Sequence, residues 1–202
     1  MPVGVSNRVV FEEFGKRPKD LFLKWSEKPF VAASIGQVHR AQLFTGEEVA
    51  VKVQYPKIVA EIESDLDQLL KGTNPEIAKD FRERILEECD FLKEAENQTR
   101  FKSIFEDART ILIPKVFGQL TSQSVLTTEF VEGKSYRDFL DGATQVEKNR
   151  AAETIIHFFT FAGFKHGLIQ GDPHPGNYLF CKEGWGRTRS GTIINSLLMR
   201  KY

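Results

Sequence analysis

The chain has 202 residues, 41% of them apolar, with 28 basic and 28 acidic side chains. That length suits one domain or two small lobes, and the balanced charge argues against a nucleic-acid partner. Two cysteines without metal-ligand spacing point to free thiols in a reducing compartment; no apolar run approaches membrane-spanning length, and residues 1–13 carry neither a secretory nor a transit pattern.

In chain order, Val9 to Phe14 and Asp20 to Trp25 predict two short helical pieces separated by Pro18. Strand signals follow at Pro29 to Ala33, Gly36 to Leu43 and Glu47 to Gln54. In the last, Val49, Val51 and Val53 alternate with Ala50, Lys52 and Gln54. Three short consecutive strands predict an antiparallel meander. Lys57 to Lys71 has apolar residues at helical spacing and Gly72 as its stop. Asn74-Pro75 then opens a long helix whose apolar seam reads Ile77, Phe81, Ile85 and Leu92. Val116-Phe117 and Val125 to Phe130 read as further strands, Gly133 begins a linker, and Arg137 to Leu140 is a short helix. Glu147 to Lys165 predicts another helix, apolar nearly all round in its second half and so expected to be buried.

Three places carry chemistry. Lys52 lies between valines, where an ammonium needs either a partner or an edge position facing water. A phosphate-binding strand lysine paired to a helix glutamate is the functional alternative. Glu88 falls in the apolar seam of the long helix and should be paired. Lys52 is the expected partner, with Arg84, one turn back, as the rival. Asp172 and Asn177 stand five positions apart on a loop rich in proline and glycine, between an aromatic helix and the apolar run Tyr178-Leu179-Phe180. That is the spacing and order of a kinase-like catalytic loop, in which the Asp orients the attacking group and the Asn holds magnesium; the alternative is a plain turn.

These segments together resemble the UbiB/ADCK family of atypical kinase-like proteins, also called the AarF family. Pro29-Phe30-Val31-Ala32-Ala33-Ser34-Ile35-Gly36-Gln37-Val38-His39-Arg40-Ala41 is similar to its alanine-rich nucleotide loop, and Val49 to Pro56 to its lysine strand. Glu88-Cys89-Asp90-Phe91 with Glu94-Ala95 and Asn97 resembles its helix motif, with Glu88 at the position of the lysine-pairing glutamate. Leu126 to Gly133 resembles its last small-lobe strand and linker, and Gly171 to Asn177 its catalytic loop. The resemblance implies an α+β, protein-kinase-like fold in two lobes that binds ATP with magnesium. It implies nucleotide contacts from Ala32, Ala33, Ser34, Ile35, Gly36, Gln37, Lys52, Glu129 and Val131, catalytic roles for Asp172, Lys52 and Glu88, and a metal contact from Asn177. It also implies a role in ubiquinone or related prenyl-quinone metabolism. Lipid or quinone-biosynthesis proteins at a membrane surface would be its partners, in mitochondria or plastids of a eukaryote or at the cytoplasmic membrane face of a bacterium.

On that likeness, residues 1–28 are a helical extension, 29–133 the small lobe, 134–180 the start of the large lobe and 181–202 a tail unlike the family. The family's Lys-x-Gly-Gln segment does not occur, the stretch from Lys52 to Glu88 is shorter than usual, and no aspartate follows Asp172 to serve as the Asp-Phe-Gly metal ligand. These departures predict a fragment or isoform with a truncated large lobe. Asn177 alone does not hold magnesium as kinases do, so weak or absent magnesium-dependent ATP hydrolysis is expected. A small-molecule phosphotransferase of the choline or aminoglycoside kinase type, and a non-catalytic pseudokinase that binds lipid or protein, are the alternatives.

Overall fold

The alternating valines of residues 49–53 organise the first sheet. In the computed structural model, Val49, Val51 and Val53 have no solvent exposure and lie in one core cluster. The structure describes residues 4–169 and 174–181 and the backbone of 191–194. In chain order its elements begin with α1 (Val5–Phe14), α2 (Pro18–Leu21), β1 (Lys24–Trp25), β2 (Val31–Ala32), β3 (Gly36–Gln42), β4 (Glu48–Gln54), α3 (Ile58–Leu69), α4 (Pro75–Glu87) and α5 (Phe91–Ile104). They continue with β5 (Ile111–Leu112), β6 (Val125–Glu129), α6 (Tyr136–Gly142), α7 (Gln145–Thr160), β7 (Tyr178–Cys181) and β8 (Gly191–Ile194). Two compact units result: Met1–Ala95 with Val116–Phe130, and Glu96–Lys115 with Val131–Tyr202.

In the first unit the sheet runs β1-β3-β4-β6, with β2 also pairing β3, and every pairing is antiparallel. The expected meander of β2, β3 and β4 is present. Its valine face packs against Val9 and Val10 of α1 and against Phe22. Residues 20–25 are not one helix. Pro18 opens α2 at its first turn, Phe22 is already extended, and Lys24 and Trp25 pair with Gln42 and Ala41.

The long helix expected from Asn74 is also two helices. Asn74 caps α4 as predicted, accepting from the Glu76 amide at 2.9 Å. The chain then tightens into successive three-residue turns, with the Glu88, Cys89 and Asp90 amides donating to the Ile85, Leu86 and Glu87 carbonyls. Asp90 Oδ1 accepts from the Leu92 and Lys93 amides and starts α5 afresh. The expected seam is therefore not a core seam: α4 buries none of its residues, and Ile77 is 62% exposed.

In the second unit β8 lies between β5 and β7, parallel to the first and antiparallel to the second. Phe101, Phe105, Ile111, Phe158, Tyr178 and Phe180 form its core. Thr144 and Glu147 make a reciprocal capping box that starts α7, and a π turn over Phe161–Lys165 extends it. Only one side of this helix is covered among the described residues. Phe158 is fully buried, whereas Ile156 is 62% and Phe164 92% exposed, contrary to the expectation of burial all round.

A buried histidine fastens α1 to the first sheet. His39 of β3 stacks on Trp25 at 4.7 Å and is 1% exposed. Its Nδ1 lies 2.8 Å from the Ser26 carbonyl and its Nε2 2.8 Å from the Ser6 hydroxyl. A carbonyl only accepts, so Nδ1 carries the proton and, in the neutral ring, Nε2 accepts from Ser6 Oγ. Burial lowers the His39 pKa from 6.5, opposed by its bond to Ser26 and by the Glu27 charge. With the folded pKa below the unfolded one, His39 supports stability above pH 6.5, and that support is lost as pH falls toward the folded value. The urea midpoint, followed by tryptophan fluorescence, should therefore fall on acidification, and His39→Phe should lose less over the same interval. An identical pH dependence in the two chains would contradict this.

Candidate functional site

The centre of the first unit's site is a lysine that has found a partner. On β4, Lys52 and Gln54 point to the sheet face opposite Val51 and Val53 and are both buried. Val38 of β3 and Leu126 of β6 flank Lys52 in register, so its backbone sits inside the sheet and not at an edge. Lys52 Nζ donates to Glu94 Oε2 at 3.0 Å and Oε1 at 3.4 Å, and lies 4.4 Å from the centre of the Phe91 ring. The side chains of both ions are less than a tenth exposed.

The partner is thus Glu94, not Glu88. The reason is the break over residues 88–90. Counting helical turns straight through from Asn74 puts Glu88 inward, but the chain restarts at Asp90 and the new phase buries Phe91, Glu94, Ala95, Gln98 and Phe101. Glu88 instead caps the end of α4 and is half-buried. The signal for the correct choice was available: Asp90 followed by an apolar residue is a helix start, and Glu94 lies three residues after Phe91 on the resulting inner stripe.

Burial pushes the Glu94 carboxyl above the usual carboxylate range, and the Lys52 charge and hydrogen bond oppose that rise. Burial likewise raises the Cys89 thiol, against a smaller lowering by Lys52. Both cysteines are free.

The small-residue hairpin lies beside Lys52 in the same sheet. The Ala33 amide donates to the Gly36 carbonyl at 2.8 Å and closes the turn, while the Tyr55 amide donates to Ile35 at 2.9 Å. Gly36 stands across from Gln54, and a Cβ there would lie 2.4 Å from the Val53 carbonyl oxygen, so glycine is required by the closeness of β4. Ala32 and Ser34 are exposed, Ala33 and Ile35 half-buried, and Gln37 is buried. Glu129 ends β6, paired with Val49.

The other expected residues belong to the second unit. Val131 opens its second segment and is half-buried. Gly133 lies so close to β7 that a Cβ would approach Leu179 Cβ at 2.9 Å, and Lys134 exchanges backbone hydrogen bonds with Phe180. Asn177 is buried at the end of a short turn, Pro175–Asn177, which His174 supports by accepting the Gly176 amide on Nδ1 at 3.0 Å. Asp172 lies outside the described residues, as do residues 182–190 and 195–202. Among the described residues no group of three or more acidic, histidine or cysteine side chains is arranged to hold a metal, and no helix is long and apolar enough to cross a membrane.

The family model of the ABC1 atypical kinase-like domain matches residues 1–195. The chain belongs to this family. It is 32% identical over 185 residues to AarF domain-containing protein kinase 1 of Xenopus tropicalis, covering 85% of this chain and 35% of that protein. It is 34% identical over 193 residues to the mitochondrial atypical kinase coq-8 of Caenorhabditis elegans, covering 90% of this chain and 25% of that one. The chain therefore spans a quarter to a third of the length of these relatives. Among solved structures, the Rv3197–erythromycin complex from Mycobacterium tuberculosis matches with a TM-score of 0.82 and 27% identity, over 98% of this chain and 52% of that one. The Rio2 kinase–ADP/Mg2+-phosphoaspartate complex from Chaetomium thermophilum matches with a TM-score of 0.52 at 15% identity, over 87% of this chain and 48% of that one, a likeness of fold alone. The fold of this ABC1 chain is kinase-like, with an antiparallel sheet and helices.

Breaking a buried pair by removing one ion leaves the other unpaired and costs about 3–5 kcal/mol. A double-mutant cycle of Lys52→Met with Glu94→Gln, read by urea unfolding, should show coupling of about 1 kcal/mol or more; Lys52→Met with Glu88→Gln should be additive within about 0.5 kcal/mol. The reverse ordering would restore Glu88 as the partner.

Proposed function

We propose that this chain carries the nucleotide-binding part of an ABC1 protein performing ATP-dependent, kinase-like phosphotransferase or ATPase chemistry in ubiquinone or related prenyl-quinone metabolism. The observation that carries the reading is the buried Lys52 ammonium, held by Glu94 and Phe91 beside a hairpin whose glycine admits no side chain. An ammonium has three N–H donors, and the Glu94 carboxylate takes at most two of them. A buried cation with donor capacity to spare fits a phosphate oxygen.

On this reading Glu94 orients Lys52, and Lys52 neutralises phosphate charge. The backbone from Ala32 to Gln37 contacts the nucleotide phosphates, and Glu129 and Val131 are the further nucleotide contacts of this reading. Asp172 orients the attacking group and Asn177 contributes an oxygen to magnesium. ATP with magnesium would supply the transferable phosphoryl group. Asn177, the metal contact that the family resemblance implies, offers a neutral oxygen. Magnesium ordinarily needs a carboxylate as well, so the chain's own residues fit nucleotide binding better than full metal-dependent turnover. The likeness to the mitochondrial atypical kinase coq-8 supports the kinase-like assignment and a mitochondrial site in a eukaryote; quinone lipids or their biosynthetic proteins are the partners this reading proposes.

Calorimetric titration of the 202-residue chain with ATP should show binding that Lys52→Ala weakens about tenfold or more, the value of a lost charge-assisted hydrogen bond. Asp172→Asn should leave affinity within about threefold, because its role is in the transfer step. Unchanged affinity in Lys52→Ala would overturn the reading.

A further inference from the structure

Gln54 has no role in the chemistry proposed above, yet it is a fully built-in polar side chain. It is 6% exposed, two residues beyond Lys52 and on the same face of β4. Its Nε2 donates to the Cys89 carbonyl at 2.8 Å. That carbonyl lies within the break between α4 and α5, one residue before the Asp90 cap. Its backbone amide donates to Ser124 at 2.9 Å, and it stands in register across from Gly36 of the hairpin. A second bond to the loop before β6 supports the same helix start: the Phe91 amide donates to the Gln123 carbonyl at 3.2 Å.

These contacts converge on one consequence. The direction in which Glu94 points depends on where α5 begins, because each residue of a helix turns the next by a fixed angle. Asp90 caps the helix, but a cap sets its start only locally. The bond from Gln54 ties that start to β4 itself, the strand that carries Lys52. We infer that Gln54 is a positioning residue: its bond to the Cys89 carbonyl holds the first turn of α5 in the phase that brings Glu94 onto Lys52. Phe91, the first residue of α5, lies in a buried cluster with Ala95 and Leu126 and under the Lys52 ammonium. Lys52 and Gln54 act as two prongs of one strand, the first gripping the carboxylate and the second the backbone that presents it. The backbone of Gln54 stands across from Gly36 in the β3–β4 ladder, so the strand that carries both prongs also carries the hairpin.

This role is a deepening of the proposed nucleotide site, but its main test needs no nucleotide. The Lys52–Glu94 coupling, measured by a double-mutant cycle in urea, should fall to less than half in a Gln54→Met background, which keeps the side-chain volume and removes the donor. A merely structural glutamine would lower the urea midpoint and leave that coupling unchanged, and this result would overturn the inference. Should Gln54→Met not fold, Gln54→Asn retains the amide one methylene short of the carbonyl, and the same cycle in that background decides in the same way. In a second arm, Gln54→Met should weaken ATP binding at least fivefold in wild-type Lys52 and less than twofold once Lys52 is Met. Equal weakening in both backgrounds would place Gln54 outside the Lys52–Glu94 unit and overturn the inference. If the unsubstituted chain binds no ATP, the nucleotide reading fails, while the urea cycle still decides the role of Gln54.

Discussion

An ion pair removed from water is the constraint on which the first unit depends. Placing an ammonium and a carboxylate in an interior costs several kcal/mol per ion, and the mutual attraction offsets that only in good geometry. Here the geometry is supplied from two sides. β4 is hydrogen-bonded to both β3 and β6, so Lys52 has no freedom to slide, and α5 presents Glu94 from an inner stripe that includes Phe91 and Ala95. Burial pushes the Glu94 carboxyl up, and the Lys52 charge and hydrogen bond pull the other way. An apolar pair of similar volume would serve stability as well or better. The pair thus fixes how β4 and α5 meet rather than adding stability of its own.

The break over residues 88–90 separates two helices with opposite relations to the core. α5 is anchored by a buried stripe and by bonds from Gln54 and the Gln123 carbonyl. α4 buries nothing and leaves Ile77 and Phe81 substantially exposed. Few buried contacts mean low local stability, so α4 should open or fray well before α5. A tight turn with an Asp cap lets the chain join a loosely held helix to a firmly held one without passing the looseness on to Glu94.

The second unit is organised around the strand β7 and the short turn before it. Gly133 lets the chain run against β7, where Lys134 and Phe180 exchange hydrogen bonds, and Phe139 stacks on Phe180 at 4.1 Å. The turn before β7 is supported internally by His174, and Asn177 is buried at its end.

Much of this was legible in the residues themselves. The valine alternation of 49–53 specified β4 and its inner face, Asn74-Pro75 specified a helix start, and the order of the lysine strand, helix motif and Asp-x-x-x-x-Asn loop specified a kinase-like arrangement. These signals are local, or depend on order along the chain, and a linear reading captures both. The identity of the lysine's partner was not legible in the same way. Glu88 and Glu94 both lie on apolar-patterned helix, and the choice between them depends on a three-residue break that resets the helical phase. Trp25 likewise sits in a stretch of helical appearance but pairs with Ala41, because an open strand edge on β3 offers its backbone hydrogen bonds that an isolated turn lacks. Burial all round α7 was inferred from composition, but burial depends on what packs against each side. The residues by themselves determined most of the elements and which side chains could carry charge; the tertiary structure decided where the helix phase resets and which of those charges meet, because an ion pair depends on distances between segments that no local pattern contains.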